Sequence, residues 1–408
     1  MPDSGAVYVV GTCDTKGTEL EYVAALLRSL GVPVVTVDVS VQNVDLGTTD
    51  ISSREVWSHH PTLPAETPAE LDRGLAVSAM SIGLTTLIRS QHREGRVAGI
   101  LGIGGSGGTA LIAPAMRELP IGLPKLMVST VASGNTAPYV GCTDLMMLYS
   151  VVDIAGINTV SRLVLANAAH AMAGMVSHGI PPVAVRPAVG ITMFGVTTPC
   201  VNRVRGGLES RGFDPLVFHA TGTGGQAMER LLQHGQLAAI IDLTTTEVAD
   251  ELMEGVFSAG PHRLEAIAQS ELPCILSVGA MDMVNFGALD TVPLQYKDRR
   301  LHVHNAQVTL MRTTVDENRR CAEFIASKLQ DAQGRIAILL PENGVSALDA
   351  PGKPFYDPDA DQMLFRTLET LLPPTSKRRI ERLPWHINDP EFADRVLQVF
   401  DELTRVDG

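Results

Sequence analysis

The chain has 408 residues, 45% hydrophobic and 19% charged, which suits two or three domains of a compact α/β protein. Its 32 Lys plus Arg stand against 45 Asp plus Glu, a net charge of −13, so a general nucleic-acid-binding role is disfavoured while a local basic pocket is not. The five cysteines, Cys13, Cys142, Cys200, Cys274 and Cys321, form no C-x-x-C pair, which fits a reducing, cytoplasmic setting better than a disulfide framework.

The opening MPDSGAVYVV lacks a basic n-region and a long apolar core, and it reads as a first strand over 6–10. A small-residue loop, GTCDTKGT at 11–18, leads to an amphipathic helix over 19–30 that Gly31 stops, then to a strand over 34–39 ending near Asp38. A right-handed crossover puts the Gly11 loop at the carboxyl edge of a parallel sheet. Residues 48–66 are polar and proline-containing, the signature of a surface excursion, and 70–94 is a long helix candidate.

Residues 99–111, GILGIGGSGGTAL, run from an apolar strand through five glycines into a helix start. Glycine lets backbone N–H groups approach a ligand with no Cβ in the way, and the helix adds unpaired donors and a positive dipole end, so a phosphate is the natural guest. Three patterns overlap here. Gly102, Gly104 and Gly107 satisfy the dinucleotide spacing, but about 20 residues on, where an acidic residue is required, stands Lys125. The span from Gly102 to Thr109 fits the phosphate-loop spacing, except that Gly108 replaces the lysine. Gly104, Ser106 and Gly108 spell G-x-S-x-G, which makes Ser106 a rival serine nucleophile, with His170, His178 or His304 as base, in a hydrolase or acyl transferase; Cys13 and Cys200 are weaker thiol candidates.

A helix over 109–118, a strand over 125–130 and a loop of small hydrogen-bonding residues, VASGNT at 131–136, come next. Residues 144–177 read as almost continuous helix, apolar all round, which implies burial, contact between subunits included. The most apolar stretch, 163–185, is interrupted by Asn167, His170, His178 and two prolines and reads as a buried helix with its exit, not a membrane span. Three prolines in IPPVAVRP, 180–187, mark the boundary between subdomains 1–183 and 188–408.

The second half repeats the plan: strand 191–194, loop 195–200, helix 201–210, strand 215–218, a glycine loop opening a helix over 221–232, strand 238–243 and strand 274–278. The fold expected is therefore two Rossmann-like, three-layer α/β subdomains with mainly parallel sheets, of the kind an ancient duplication leaves. A β-like stretch at 301–303, the run 304–314, a helix over 316–330, a strand over 335–340 and two helices opened by Asp357-Pro358 and Asp389-Pro390 complete the chain.

GTCDTKGTEL at Gly11, GIGGSGGTAL at Gly102, PKLMVSTVASGN at Pro124, YVGCTDLMMLYSVVDIAGIN at Tyr139 and VHNAQVTLMRTT at Val303 together resemble one family over nearly the whole chain. It is the group of largely uncharacterised proteins similar to the ATP-binding domain at the N-terminus of the tomato mosaic virus resistance protein. The resemblance implies an ATP-binding module of two α/β subdomains that tends to form a homodimer. It implies no catalysed reaction, and the plant protein's antiviral role does not transfer.

For ATP, the backbone of Gly11, Thr12 and Gly104 to Thr109 (Gly104, Gly105, Ser106, Gly107, Gly108, Thr109), entered through Gly102, is expected to cradle phosphates, with hydroxyls from Ser106, Thr109 and Thr15. Lys16 would supply the charge missing at Gly108, and Asp14 or Asp38 would hold Mg²⁺ or a ribose hydroxyl. Ser129, Thr130, Ser133 and Gly134 would close the pocket. A second polar constellation, Asp242, Glu247, Asp282, Asn285, His302, His304, Asn305, Arg312, Thr313 and Glu342, offers Arg312 and His304 to a small anionic substrate, with structural hydrogen bonding or a metal as alternatives. Neither a nucleic acid nor a membrane is an expected partner.

Overall fold

The computed structural model describes residues 5–42, 49–62, 68–179 and 184–405; residues 48 and 63–66 of the expected excursion and the first half of the proline boundary lie outside them. The chain divides into two compact units, Met1–Val183 and Ala184–Gly408.

The first unit runs β1 (Ala6–Gly11), α1 (Cys13–Ser29), β2 (Val34–Asp38), α2 (Ser53–Ser58), α3 (Arg73–Arg93), β3 (Val97–Gly104), α4 (Ser106–Arg117), β4 (Lys125–Ser129), α5 (Ala137–Val140), β5 (Met146–Tyr149) and α6 (Thr159–Ser177). Its five strands are parallel, in the order β2-β1-β3-β4-β5. Continuous apolar runs such as AVYVVG are what a sheet covered on both faces needs. Successive side chains alternate: Val7, Val9 and Leu101 pack with Leu20, Val23 and Met172 of α1 and α6, while Tyr8, Val10 and Ile100 pack with Leu84, Ile88 and Ile112 of α3 and α4. Three layers result.

The second unit runs β6 (Ala188–Met193), α7 (Thr198–Ser210), β7 (Asp214–His219), α8 (Thr223–Gln233), β8 (Ala239–Thr244), α9 (Thr246–Leu252), α10 (Glu265–Gln269), β9 (Cys274–Gly279), β10 (Met283–Phe286), β11 (Leu301–Asn305), β12 (Val308–Arg312), α11 (Val315–Leu329), β13 (Ile336–Pro341), α12 (Pro358–Leu371), β14 (Arg378–Leu383) and α13 (Pro390–Thr404). Six parallel strands lie in the order β14-β13-β9-β8-β6-β7, and β10-β12-β11 form a small antiparallel sheet. Counting parallel strands in chain order, both large sheets begin 2-1-3-4-5. The two units are Rossmann-like in the same sense.

Four expectations are corrected. The 11–18 loop is mostly the first turn and a half of α1, which starts at Cys13 because Asp38, at the end of the neighbouring strand, accepts the Cys13 N–H at 2.9 Å. Likewise α4 opens at Ser106 rather than at 109. The 144–177 run is an edge strand, a turn and a helix: Asn158 caps α6 by accepting from Val160 and Ser161 N–H, and Val151, a β-branched residue, turns the chain at φ 66°. Finally, β14 was not anticipated, since RRIERL carries no apolar pattern. No helix among the described residues is long and apolar enough to cross a membrane.

Candidate functional site at the glycine loop

In a doubly wound sheet, chain connections leave in opposite directions at one point, and the crevice beyond the carboxyl ends of those two strands is where ligands bind. In the first unit that point lies between β1 and β3. Both of its small-residue loops, at Gly11 and at Gly104, therefore flank one crevice.

The two loops are not equivalent. At the start of α1 the donors are already occupied: the Asp38 carboxylate accepts from Cys13 N–H at 2.9 Å, Ser40 N–H at 2.9 Å and the Ser40 hydroxyl at 2.6 Å, and Ser40 Oγ accepts from Asp14 N–H at 3.1 Å. Asp38 is thus a buried internal cap, an arrangement that does not favour the expected role toward Mg²⁺ or ribose. The Lys16 ammonium donates to the carbonyl of Ile154, and Glu19 accepts the Gly156 N–H at 2.6 Å, so these side chains pin the 150–156 turn to α1. Thr12 and Thr15 share a hydroxyl hydrogen bond of 2.8 Å.

At the start of α4 the opposite holds. Gly105 is the N-cap and offers no side chain, so the N–H groups of Ser106, Gly107 and Gly108 have no intrahelical acceptor and no other partner among the described residues. Thr109 already bonds the Gly105 carbonyl, and its hydroxyl meets Ser129 Oγ at 2.6 Å, which ties the helix to the end of β4. Thr130 N–H donates to the Gly104 carbonyl at 3.4 Å, while Ser133 and Gly134 are exposed beyond it.

Sterics say which glycines the fold itself requires. A Cβ on Gly102 would meet three core side chains, and one on Gly104 would lie 2.9 Å from the Cα of Gly108, so both are needed where helix crosses strand. A Cβ on Gly105 or Gly108 would make only ordinary contacts, and on Gly107 it would meet nothing within 4 Å; none of the three has positive φ. The fold itself does not require glycine at these three positions.

The Ser106 reading finds little here. Ser106 is not among the residues of positive φ, so the strained elbow that presents a nucleophile is missing, and no hydrogen bond joins it to a histidine among the described residues. His170 and His178 line a cavity with Gly122 and Pro124, which precede β4, and so sit toward the other edge of the sheet. Burial pushes the Cys13 and Cys200 thiols up to about 12, aided at Cys13 by Asp38, so neither is a thiolate at neutral pH.

In the second unit the glycine loop, Thr221 to Gly225, follows β7, the counterpart of β2 rather than of β3, and is filled from within. The Glu247 carboxylate accepts from Gly222 N–H at 2.8 Å and Gly225 N–H at 3.0 Å, and a Cβ on Gly225 would lie 2.0 Å from Glu247 Oε2. Arg263 completes the arrangement, donating to Glu247 at 2.9 Å, Asp242 at 2.8 Å and Glu229 at 2.7 Å, every partner buried. Asp242 and Glu247 are thereby accounted for structurally. Arg263, which nothing in the sequence singles out, is the counter-ion those acids require.

Arg312 is equally committed: it donates to Asp361 at 2.8 Å, to the Phe355 carbonyl at 2.7 Å and to Thr313 Oγ1 at 2.9 Å. Its neighbourhood holds Asp349 at 3.8 Å and also Asp282, which accepts from the Ser346 hydroxyl at 2.7 Å. Burial first, and Asp349 with it, push Asp282 up to about 7 and Asp361 up to about 8 against the opposing pull of Arg312. An aspartate raised above its unfolded value of about 3.9 keeps its proton in the folded state, so the stabilisation it gives is full below about pH 4 and is lost as pH rises toward 8. Urea unfolding is expected to show lower stability at pH 9 than at pH 6, and Asp361→Asn is expected to flatten that difference.

His304 and Asn305 lie apart from Arg312, in a cavity that Arg312 does not line. No group of three or more His, Cys, Asp or Glu is placed to hold a metal ion among the described residues.

The sequence matches the uncharacterised protein family UPF0261 in both of its parts, the N-terminal domain over residues 5–180 and the C-terminal domain over residues 186–404. The chain belongs to family UPF0261. A UPF0261 protein of Mesorhizobium japonicum is 48% identical over 395 residues, which covers 97% of this chain and 98% of that protein. A UPF0261 protein of Clostridium tetani is 44% identical over 388 residues, 95% of this chain and 96% of its own. The ToMV resistance protein Tm-1(GCR237) of Solanum lycopersicum is 46% identical over 427 residues; the match takes 98% of this chain but 56% of the tomato protein, so the UPF0261 portion is about half of that relative. The resemblance read from the five motifs is therefore a true family relationship.

Proposed function

We propose that the N-terminal unit binds ATP, with its phosphates received by the unpartnered N–H groups of Ser106, Gly107 and Gly108 at the start of α4. The supporting observation is that these donors stand at the switch point of a Rossmann-like sheet, beside glycines the fold does not require. Phosphate oxygens fit this donor set, and Ser106 and Thr15 add hydroxyls. Asp14, whose carboxylate is not consumed as Asp38's is, would face Mg²⁺. Ser133 and Gly134 would close over the nucleotide.

Linkage tests this directly. Nucleotide at 100 times its dissociation constant stabilises the folded state by about 2.7 kcal/mol, so the melting temperature should climb with ATP concentration. No shift with ATP, with or without Mg²⁺, would end the proposal. Phosphate release at saturating ATP then separates an ATP-dependent enzyme acting on a small anionic substrate from a regulatory binding module.

A second copy of the chain is the partner we propose for β5 and α6. β5 is an edge strand, and beside it Met146, Tyr149, Val151, Val160 and Leu163 are exposed, Leu163 by 58%. Leu163→Glu is expected to convert a homodimer to a monomer in light scattering, and a monomeric parent would dismiss this surface.

A further inference from the structure

The second unit carries a cavity that neither its ion pairs nor the glycine loop explains. It has a volume of about 210 Å³ and lies at the carboxyl ends of β6 and β7, where Phe194, Gly195 and Val196 leave one strand and His219 and Thr221 leave the other. The β11–β12 hairpin closes it with His304, Asn305, Val308 and Leu310, and Phe257 forms a further wall. It sits beside the switch point between β6 and β8, the place in this sheet order where ligands bind.

Size and wall set the body of the ligand. An apolar cavity of about 150 Å³ holds benzene, so one somewhat larger, walled by Phe194, Val196, Phe257, Val308 and Leu310, suits a phenyl ring or a branched alkyl group with one more substituent. The Phe194 ring is already fixed edge-on to His219 at 5.5 Å and to Phe257 at 6.1 Å, so this wall is formed before a ligand arrives.

The polar rim sets the head group. Asn305 Oδ1 accepts the Gln307 N–H at 2.8 Å, which leaves its amide nitrogen with two free donors. Neither the His219 nor the His304 ring makes a hydrogen bond to another described residue, so a ring N–H of each is uncommitted. Thr221 adds a hydroxyl that rests on the His219 carbonyl at 3.3 Å. The lining is overwhelmingly apolar, and the polar side chains at its margin, His219, Thr221, His304 and Asn305, include no carboxylate. We infer that this cavity is a binding site for a small monocarboxylate with an apolar aryl or branched-alkyl body, its carboxylate held by Asn305, His219 and His304. The site belongs to the second unit and stands independently of the nucleotide reading.

Isothermal titration of the full chain with benzoate, phenylacetate and 4-methylpentanoate tests it. Saturable binding of at least one is expected. Asn305→Asp keeps the acceptor for Gln307 N–H and replaces the amide donors by a negative charge, and it should weaken that binding at least tenfold. Val308→Phe fills the cavity and should abolish it. Melting curves for both variants confirm that they fold. Absence of saturable binding by all three acids, or binding that both folded variants retain, overturns the assignment.

Discussion

Gly107→Val is expected to abolish ATP binding while moving the melting temperature by no more than about 2 °C. The position is exposed in the first turn of α4, has an ordinary negative φ and meets nothing within 4 Å, so the fold tolerates a side chain there. A phosphate approaching three adjacent N–H groups does not, because two methyl groups would stand where its oxygens must come within about 3 Å of nitrogen. Gly104→Val makes the contrast. Its Cβ would press on Gly108 backbone at 2.9 Å, so α4 must shift, and both binding and stability should fall. Calorimetric titration with parallel melting curves reads the pair, and unchanged affinity in both variants would remove the glycine loop from the nucleotide site.

Arg263→Met should be the most damaging single change in the second unit. The substitution preserves much of the volume but leaves Glu229, Asp242 and Glu247 buried without their cation, and breaking a buried ion pair from one side costs about 3–5 kcal/mol. For a unit of this size that corresponds to a fall of roughly 10 °C in melting temperature. Arg263→Lys should restore only part of the loss, since one ammonium cannot match a fork that reaches three carboxylates at once. Urea unfolding of the three proteins checks this, and a loss below about 1 kcal/mol in Arg263→Met would mean that the acids find other partners.

What was legible in the sequence follows from locality. β1, β3, β4, β6, β8, β9 and β13 could be read because buried parallel strands are continuous apolar runs. β14 could not, since its arginines and glutamate are matched by residues far away: Arg379 pairs with Glu402, Arg382 with Glu369 and Glu381 with Arg395. β5 was hidden inside an apolar stretch whose break is made by Asn158 and by strain at Val151, neither of which shows as periodicity. The glycine loop at α4 was legible because glycine density is itself the signal. The part played by Asp38 was not, because its partner Cys13 is 25 positions earlier in the chain. Arg263 sits in a loop with no motif around it, and only the need of three acids for one cation could have pointed there.

The Glu247 carboxylate in the Thr221–Gly225 loop is a ligand on a tether. Its effective concentration at those N–H groups is fixed by the fold at a level that free metabolites, at millimolar or below, cannot match. That loop therefore stays filled at every phosphate concentration, whereas the N–H groups at the start of α4 have no carboxylate of the chain to hold them.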